Sequence, residues 1–239
     1  MNVLVGTSGF AFPEWKGNFY PEKIAAKDML RYYAERFPTL EVNNTFYRLP
    51  KEKVLADWAA EVPDGFQFVL KASQRITHFQ RLKDVADLVT YLLRTASTLG
   101  QKLGPILFQL PPNLKKDVPR LKDFFLTLPE RRRVAFEFRH VSWFDDETFD
   151  VLRAESAALC VADTGEEPAT PLVATTDWGY LRLRREDFSD AELAEWAKRI
   201  REQPWQDAYV FMKHEEEGRG PKLAAQLTEI LRADPESRP

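Results

Sequence analysis

A single cysteine, Cys160, stands among 239 residues. Its solitude excludes an internal disulfide framework and a zinc site built on cysteine. Histidine is nearly as scarce, at three. No apolar run approaches the roughly 20 residues that a membrane-spanning helix needs. The N-terminus passes straight into Val3-Leu4-Val5-Gly6 without a basic segment or a long apolar one. No signal peptide is read there, and a cytoplasmic protein is expected. Neither sign of charge dominates, since 34 Lys and Arg against 37 Asp and Glu leave a net charge of −3. Such a chain has no global basic field to draw it onto nucleic acid or an anionic membrane. Gly6 and Gly9 also lack the third glycine and the helix start of a dinucleotide fingerprint.

The residues present include 44% hydrophobics, enough for a large core. Short β-rich runs begin near Val3, Thr39, Phe66, Pro105, Arg133, Ala158, Trp178 and Asp207. Their spacing of roughly 30 residues is that of a strand plus a crossover helix. Between them, apolar residues three and four apart predict amphipathic helices. Met29, Leu30, Tyr33 and Phe37 form one stripe, and Val54, Leu55, Trp58 and Val62 another. Ser189 with Glu192 reads as a capping box. The sixth interval, 165–177, holds three threonines and two prolines with little helical pattern, so its helix is expected to be missing or reduced. Eight strands alternating with about seven helices predict an α/β fold, a single-domain TIM (β/α)8 barrel. The domain is read as 1–233, with a frayed tail at 234–239.

Alternation along each strand then sorts side chains into helix-facing and interior sets. In the fifth strand Val134, Phe136 and Phe138 are the bulky apolar set, which turns Glu137 and Arg139 inward. The same reading turns Glu41, Asn43, Lys71, Gln109, Asp163, Arg182, Arg184 and Lys213 inward. Three acids and five bases would thus meet near the strand C-termini, where barrels of this kind place their active sites. An internal ion-pair network is the bland explanation. An anion-binding or catalytic mouth explains the cationic surplus better, because a structural network tends toward balance. His78, His140 and His214 follow strand ends on the same side, and Trp15 and Tyr47 are among the aromatics expected to stack on a ligand there. The run Gly218-Arg219-Gly220-Pro221-Lys222 offers a helix start suited to phosphate, opposed by the acidic Glu215-Glu216-Glu217 before it.

Several runs together resemble the YecE-like family of uncharacterised barrels (domain of unknown function 72). They are Gly6-Thr7-Ser8-Gly9, Trp15-Lys16-Gly17-Asn18-Phe19-Tyr20-Pro21, and Glu41-Val42-Asn43-Asn44-Thr45-Phe46-Tyr47-Arg48-Leu49-Pro50. Arg75-Ile76-Thr77-His78, Phe108-Gln109-Leu110-Pro111-Pro112 and Glu137-Phe138-Arg139-His140 continue the likeness. The resemblance implies a TIM barrel and no particular reaction.

The residues themselves point to an enzyme acting on a small anionic substrate, bearing phosphate or carboxylate and with a phosphodiester included. Glu137 and Glu41 are candidate acid and base, with Asp163 as a further acid, because neighbouring carboxylates separate in pKa. His78 is a candidate for proton transfer near neutral pH. Arg139, Arg182, Arg184, Lys71 and Lys213, with Asn43 and Gln109, would hold the substrate. Neither a metal nor a cofactor is expected. One alternative is a non-catalytic nucleotide or nucleic-acid binder, disfavoured by the acidic whole. A third is a metal-dependent hydrolase or isomerase using Glu41, Glu137, Asp163 and His140, disfavoured by the nearby cations.

Overall fold

Parallel pairing joins every strand to the next, and the eighth to the first, in a computed structural model that describes residues 1–128, 132–167, 169–213 and 218–233. The strands are β1 (Asn2–Ser8), β2 (Thr39–Val42), β3 (Gln67–Lys71) and β4 (Leu103–Gln109), then β5 (Val134–Glu137), β6 (Ala158–Asp163), β7 (Trp178–Leu183) and β8 (Asp207–Met212). Closure runs over six aligned residues of β1 and β8, from Asn2 beside Asp207 to Thr7 beside Met212. The barrel expected from the sequence is therefore present, with its tail at 234–239 outside the described residues.

Helices α1 (Met29–Ala34), α2 (Glu52–Glu61), α3 (Ala86–Ala96), α4 (Val118–Phe125), α5 (Asp146–Ala154), α6 (Asp190–Arg201) and α7 (Arg219–Ala233) cover the outside. All but α2 bury the stripe that their sequence spacing implies. Phe124 and Phe125 of α4 pack their rings against Phe136 on the outer face of β5. In α2 the buried stripe is narrower than expected, because Leu55 is fully buried whereas Val54 is 39% exposed. Among the described residues no helix joins β6 to β7. Thr175 closes the gap instead, accepting from Leu159 N at 2.9 Å and donating to Ala157 O at 2.8 Å. Its hydroxyl satisfies backbone groups that would otherwise lack partners at the start of β6.

The interior holds Val69, Leu107, Ala135, Cys160, Tyr180 and Phe211 from successive strands. Their alternation with the helix-facing residues fixes which positions reach the mouth. Gly6, paired with Thr39, marks a close approach of β1 and β2, since a Cβ there would lie 2.1 Å from the Thr39 carbonyl oxygen. No helix among the described residues is long and apolar enough to cross a membrane.

Candidate functional site

At the C-terminal ends of β2, β5 and β7, the interior set changes from apolar to charged. Glu41 and Glu137 are fully buried, and Arg182 between them is 2% exposed. Arg182 Nη1 donates to Glu137 Oε2 at 2.6 Å, while Nη2 donates to Glu41 Oε1 at 2.9 Å. Glu41 also accepts from Ser8 Oγ at 2.6 Å and from the Tyr180 hydroxyl at 2.5 Å. Glu137 accepts from Gln109 Nε2 at 2.9 Å. Arg139 Nε lies 2.5 Å from Glu137 Oε1, although its N–H is not directed at that oxygen. Both carboxylates are thus enclosed by hydrogen-bond donors from β1, β4 and β7, which is how a buried charge is tolerated.

Burial pushes the Glu137 carboxyl up, but Arg182 and Arg139 outweigh it and hold the group below the usual range. Burial would lower the Arg182 guanidinium, and Glu41 and Glu137 hold it well above its ordinary value. Desolvation raises the Tyr180 phenol, reinforced by Glu41, so this hydroxyl stays protonated and donating.

Above this layer opens a cavity of about 370 Å³. Lys71, Arg182, Arg184 and Lys213 line it, with Asn43, Asn44, Gln109 and Ser8 as neutral polar groups. No carboxylate lines it among the described residues. Glu41 and Glu137, expected as acid and base, therefore face the cations from below and do not face the cavity. Arg184 comes no nearer to Glu137 than 3.8 Å, and its Nε and Nη1 are buried without a hydrogen-bond acceptor among the described residues. An unpaired buried donor is costly, so two on one guanidinium mark a place where an acceptor is missing.

Lys71 is 8% exposed, and its ammonium sits 4.2 Å over the Phe46 ring. Burial, and then the Arg182 charge, bring it down to about 8 against the opposing pull of Glu41 and Glu137. His78 packs edge-on against the same ring at 4.9 Å, and its Nδ1 lies 2.9 Å from Thr77 Oγ1. Its pKa is lowered by burial first, then by Lys71 and Arg139. His78 stands beside the cavity rim without lining it.

Two expected site residues lie elsewhere. Asp163 faces the helices, where it pairs with Arg185 Nε at 2.9 Å and accepts from Trp196 Nε1 of α6 at 3.0 Å. The reason is the pleat: Cys160 faces in, Leu159 and Val161 face out, and Asp163 follows the odd positions. Trp15 is 1% exposed and lies within a knot of Phe12, Phe19 and Tyr20 in the first loop, so it anchors that loop. By contrast Tyr47, 71% exposed, does stand at the cavity edge.

Removing Asp163 enlarges the cationic surplus, leaving five bases against two acids. It also takes one proposed metal ligand to the other side of the sheet. His140 turns its Nδ1 toward Ser142 Oγ at 2.9 Å, and His214 lies outside the described residues. Gly218, Pro221 and Lys222 border a different groove beside Asn18 and Phe19, so that helix start does not open onto the cationic cavity. Glu215-Glu216-Glu217 lie outside the described residues. Sequence reasoning missed the Tyr180 hydroxyl, although its position two before Arg182 was a usable signal. It also missed Trp58, which reaches the cavity wall from α2.

The family model described as protein of unknown function DUF72 matches residues 4–239. The chain belongs to the DUF72 family. It is 26% identical over 275 aligned residues to the UPF0759 protein YunF of Bacillus subtilis, covering 96% of this chain and 94% of that one. It is 34% identical over 143 residues to the UPF0759 protein YecE of Escherichia coli, covering 59% of this chain and 50% of that one. A crystal structure of a DUF72 family protein from Thermotoga maritima matches with a TM-score of 0.88 at 28% identity, covering 97% of this chain and all of the other. A DUF72 protein of Enterococcus faecalis shares the fold, with a TM-score of 0.82 at 18% identity. The expected family and fold are both shown. None of these names states a reaction, so the activity of this DUF72 chain must be argued from its site.

Proposed function

We propose that this DUF72 protein is an enzyme that takes a small anion, bearing phosphate or carboxylate, in the cavity at the barrel mouth. The observation that carries the reading is Arg184, whose buried guanidinium nitrogens lack acceptors beside three further cations. An arginine fork matches a planar or tetrahedral oxyanion, and the cavity supplies the acceptor-free space for one. The two glutamates support the cations from beneath, so that among the described residues every charged side chain lining the cavity is a cation.

Confinement of these cations to one cavity favours a small molecule over a polymer, which would need basic residues spread along a surface. Aromatic walls from Phe10, Phe12, Phe46 and Trp58 suit a sugar, a base or a carbon skeleton attached to the anion. Four cations around one space oppose a divalent metal there.

The test compares thermal unfolding in sulfate, phosphate and chloride at equal ionic strength. Sulfate stabilises many proteins by exclusion from the surface, so the diagnostic quantity is its advantage lost in Arg184→Met. Specific binding at about 100 times Kd adds about 2.7 kcal/mol to the folded state. The parent should therefore gain more from sulfate and phosphate than Arg184→Met does. Equal gains in both proteins would return these residues to a purely structural ion-pair network.

A further inference from the structure

We propose that Lys71 is an amine nucleophile that forms an imine with the carbonyl carbon of a small keto anion bound in the cavity. The inference rests on the anion-binding reading and names the class of substrate. Lys71 ends β3 on the inner face, at the foot of the cavity that Arg184 and Lys213 also line. Among the described residues no carboxylate lies within ion-pair distance of its ammonium, unlike Arg139 and Arg182 in the same cluster. Its ammonium stands over the face of Phe46. A cationic amine placed over a ring, without an acid to hold its proton, is free to meet a ligand.

The surroundings also supply free base. Burial dominates, the Arg182 and Arg139 charges add to it against the opposing pull of Glu41 and Glu137, and the amine is brought down to about 8. At pH 7 roughly a tenth of such an amine is unprotonated, against well under a thousandth for an ordinary lysine. Lowered pKa in a cationic, desolvated pocket is the general means by which lysine becomes a nucleophile.

The step balances without a further reactant. The amine lone pair forms a C–N bond to the carbonyl carbon, and the C–O π bond opens. The oxygen then leaves as water with the two protons of the amine, relayed by solvent, and the imine nitrogen takes up one proton. The positive charge so formed lies over Phe46 and above the two buried glutamates, while the substrate's own anion faces Arg184 and Lys213. A keto acid and a keto phosphate share this chemistry.

The full chain is incubated with pyruvate or with dihydroxyacetone phosphate, then reduced with sodium borohydride. Intact mass should rise by the carbonyl compound less one oxygen atom, once per chain, and peptide mapping should place the adduct on Lys71. The probe that labels distinguishes acid from phosphate. Lys71→Met should lose the adduct, whereas Lys213→Met should need more probe yet still label at Lys71. Adducts scattered over exposed lysines, or an unchanged yield in Lys71→Met, would overturn the proposal. Absence of any adduct while the sulfate advantage of the parent persists would overturn it too, leaving anion binding intact. Loss of both results would remove the anion-binding reading as well. Should Lys71→Met fail to fold, mapping on the parent chain still decides.

Discussion

Arg182 carries two carboxylates on one guanidinium, Glu137 on Nη1 and Glu41 on Nη2. Removing it strands both acids in the barrel, and breaking a buried pair in this way costs about 3–5 kcal/mol. Arg182→Met is accordingly expected to unfold at much lower denaturant or temperature than the parent. The triple change Glu41→Gln, Glu137→Gln and Arg182→Met strands no charge and should recover much of the loss. A triple variant as unstable as the single would show that shape, not charge, is what the cluster supplies. Arg184 differs, because among the described residues its Nε and Nη1 have no hydrogen-bond acceptor and Glu137 comes no nearer than 3.8 Å, so Arg184→Met should fold normally. At this scale the sequence was legible wherever a strand carried contrast between its two faces. Val134, Phe136 and Phe138 against Ala135 and Glu137 fixed β5, and Glu41, Lys71, Gln109 and Arg182 followed. β6 has no such contrast, since Leu159, Cys160, Val161 and Ala162 are all apolar, and Asp163 was therefore assigned to the wrong face.

Helix ends and strand contacts set the element scale. In α6 the Ser189 side chain accepts from Glu192 N at 3.3 Å and Glu192 Oε2 accepts from Ser189 N at 2.8 Å, the reciprocal box read from the sequence. Ser189→Ala should lower stability by about 1 kcal/mol in a denaturant titration, with no change in anion response. An unchanged midpoint would mean that packing of Leu193, Trp196 and Ile200 alone holds the helix start. Gly179 offers a sharper case. A Cβ there would lie 2.4 Å from the Trp205 ring, which seals the outer side of β7 before β8 begins. Gly179→Ala should therefore destabilise by about 1–3 kcal/mol through overpacking. A stability equal to the parent would mean that Trp205 moves aside freely. The irregular crossover after β6 was legible from its threonines and prolines, but Thr175 as its fastening point was not, because both of its partners lie 16 and 18 residues earlier.

The pH dependence of the whole molecule follows from groups buried in the mouth, the first loop and α1. Glu137 has a folded pKa below its unfolded value. Its contribution is complete above the ordinary carboxylate range and is lost as pH falls through that range and below, so acid unfolding is expected there. Lys71 acts in the opposite sense. Its folded pKa of about 8 lies below the unfolded value of 10.5, so the native state releases this proton first. Stability should rise with pH from about 8, by on the order of 3 kcal/mol if Lys71 acted alone. Above about 10 the buried phenols of Tyr20, Tyr33 and Tyr180 reverse the trend, since they ionise more easily when unfolded. Thermal unfolding of parent and Lys71→Met across pH 7 to 10 isolates the lysine, because the variant should start more stable and lack the rise. Parallel curves would mean that solvent reaches Lys71 and relieves its burial.

The sequence by itself determined the barrel, its eight strands, most helix faces and the charged interior positions. These rest on period-two and period-3.6 patterns and on local caps, all of which are written in neighbouring residues. The tertiary structure decided what those interior residues do. Whether Glu41 and Glu137 meet a ligand or support an arginine depends on Tyr180, Arg182 and Ser8, brought beside them by closure of β8 onto β1. Whether Trp15 lines a pocket or fastens a loop depends on rings from its own loop that the pattern does not orient. Pattern fixes the face of a strand or helix on which a side chain stands. Only closed packing fixes which side chains share that space, which of them lie beneath others, and which donors are left without an acceptor.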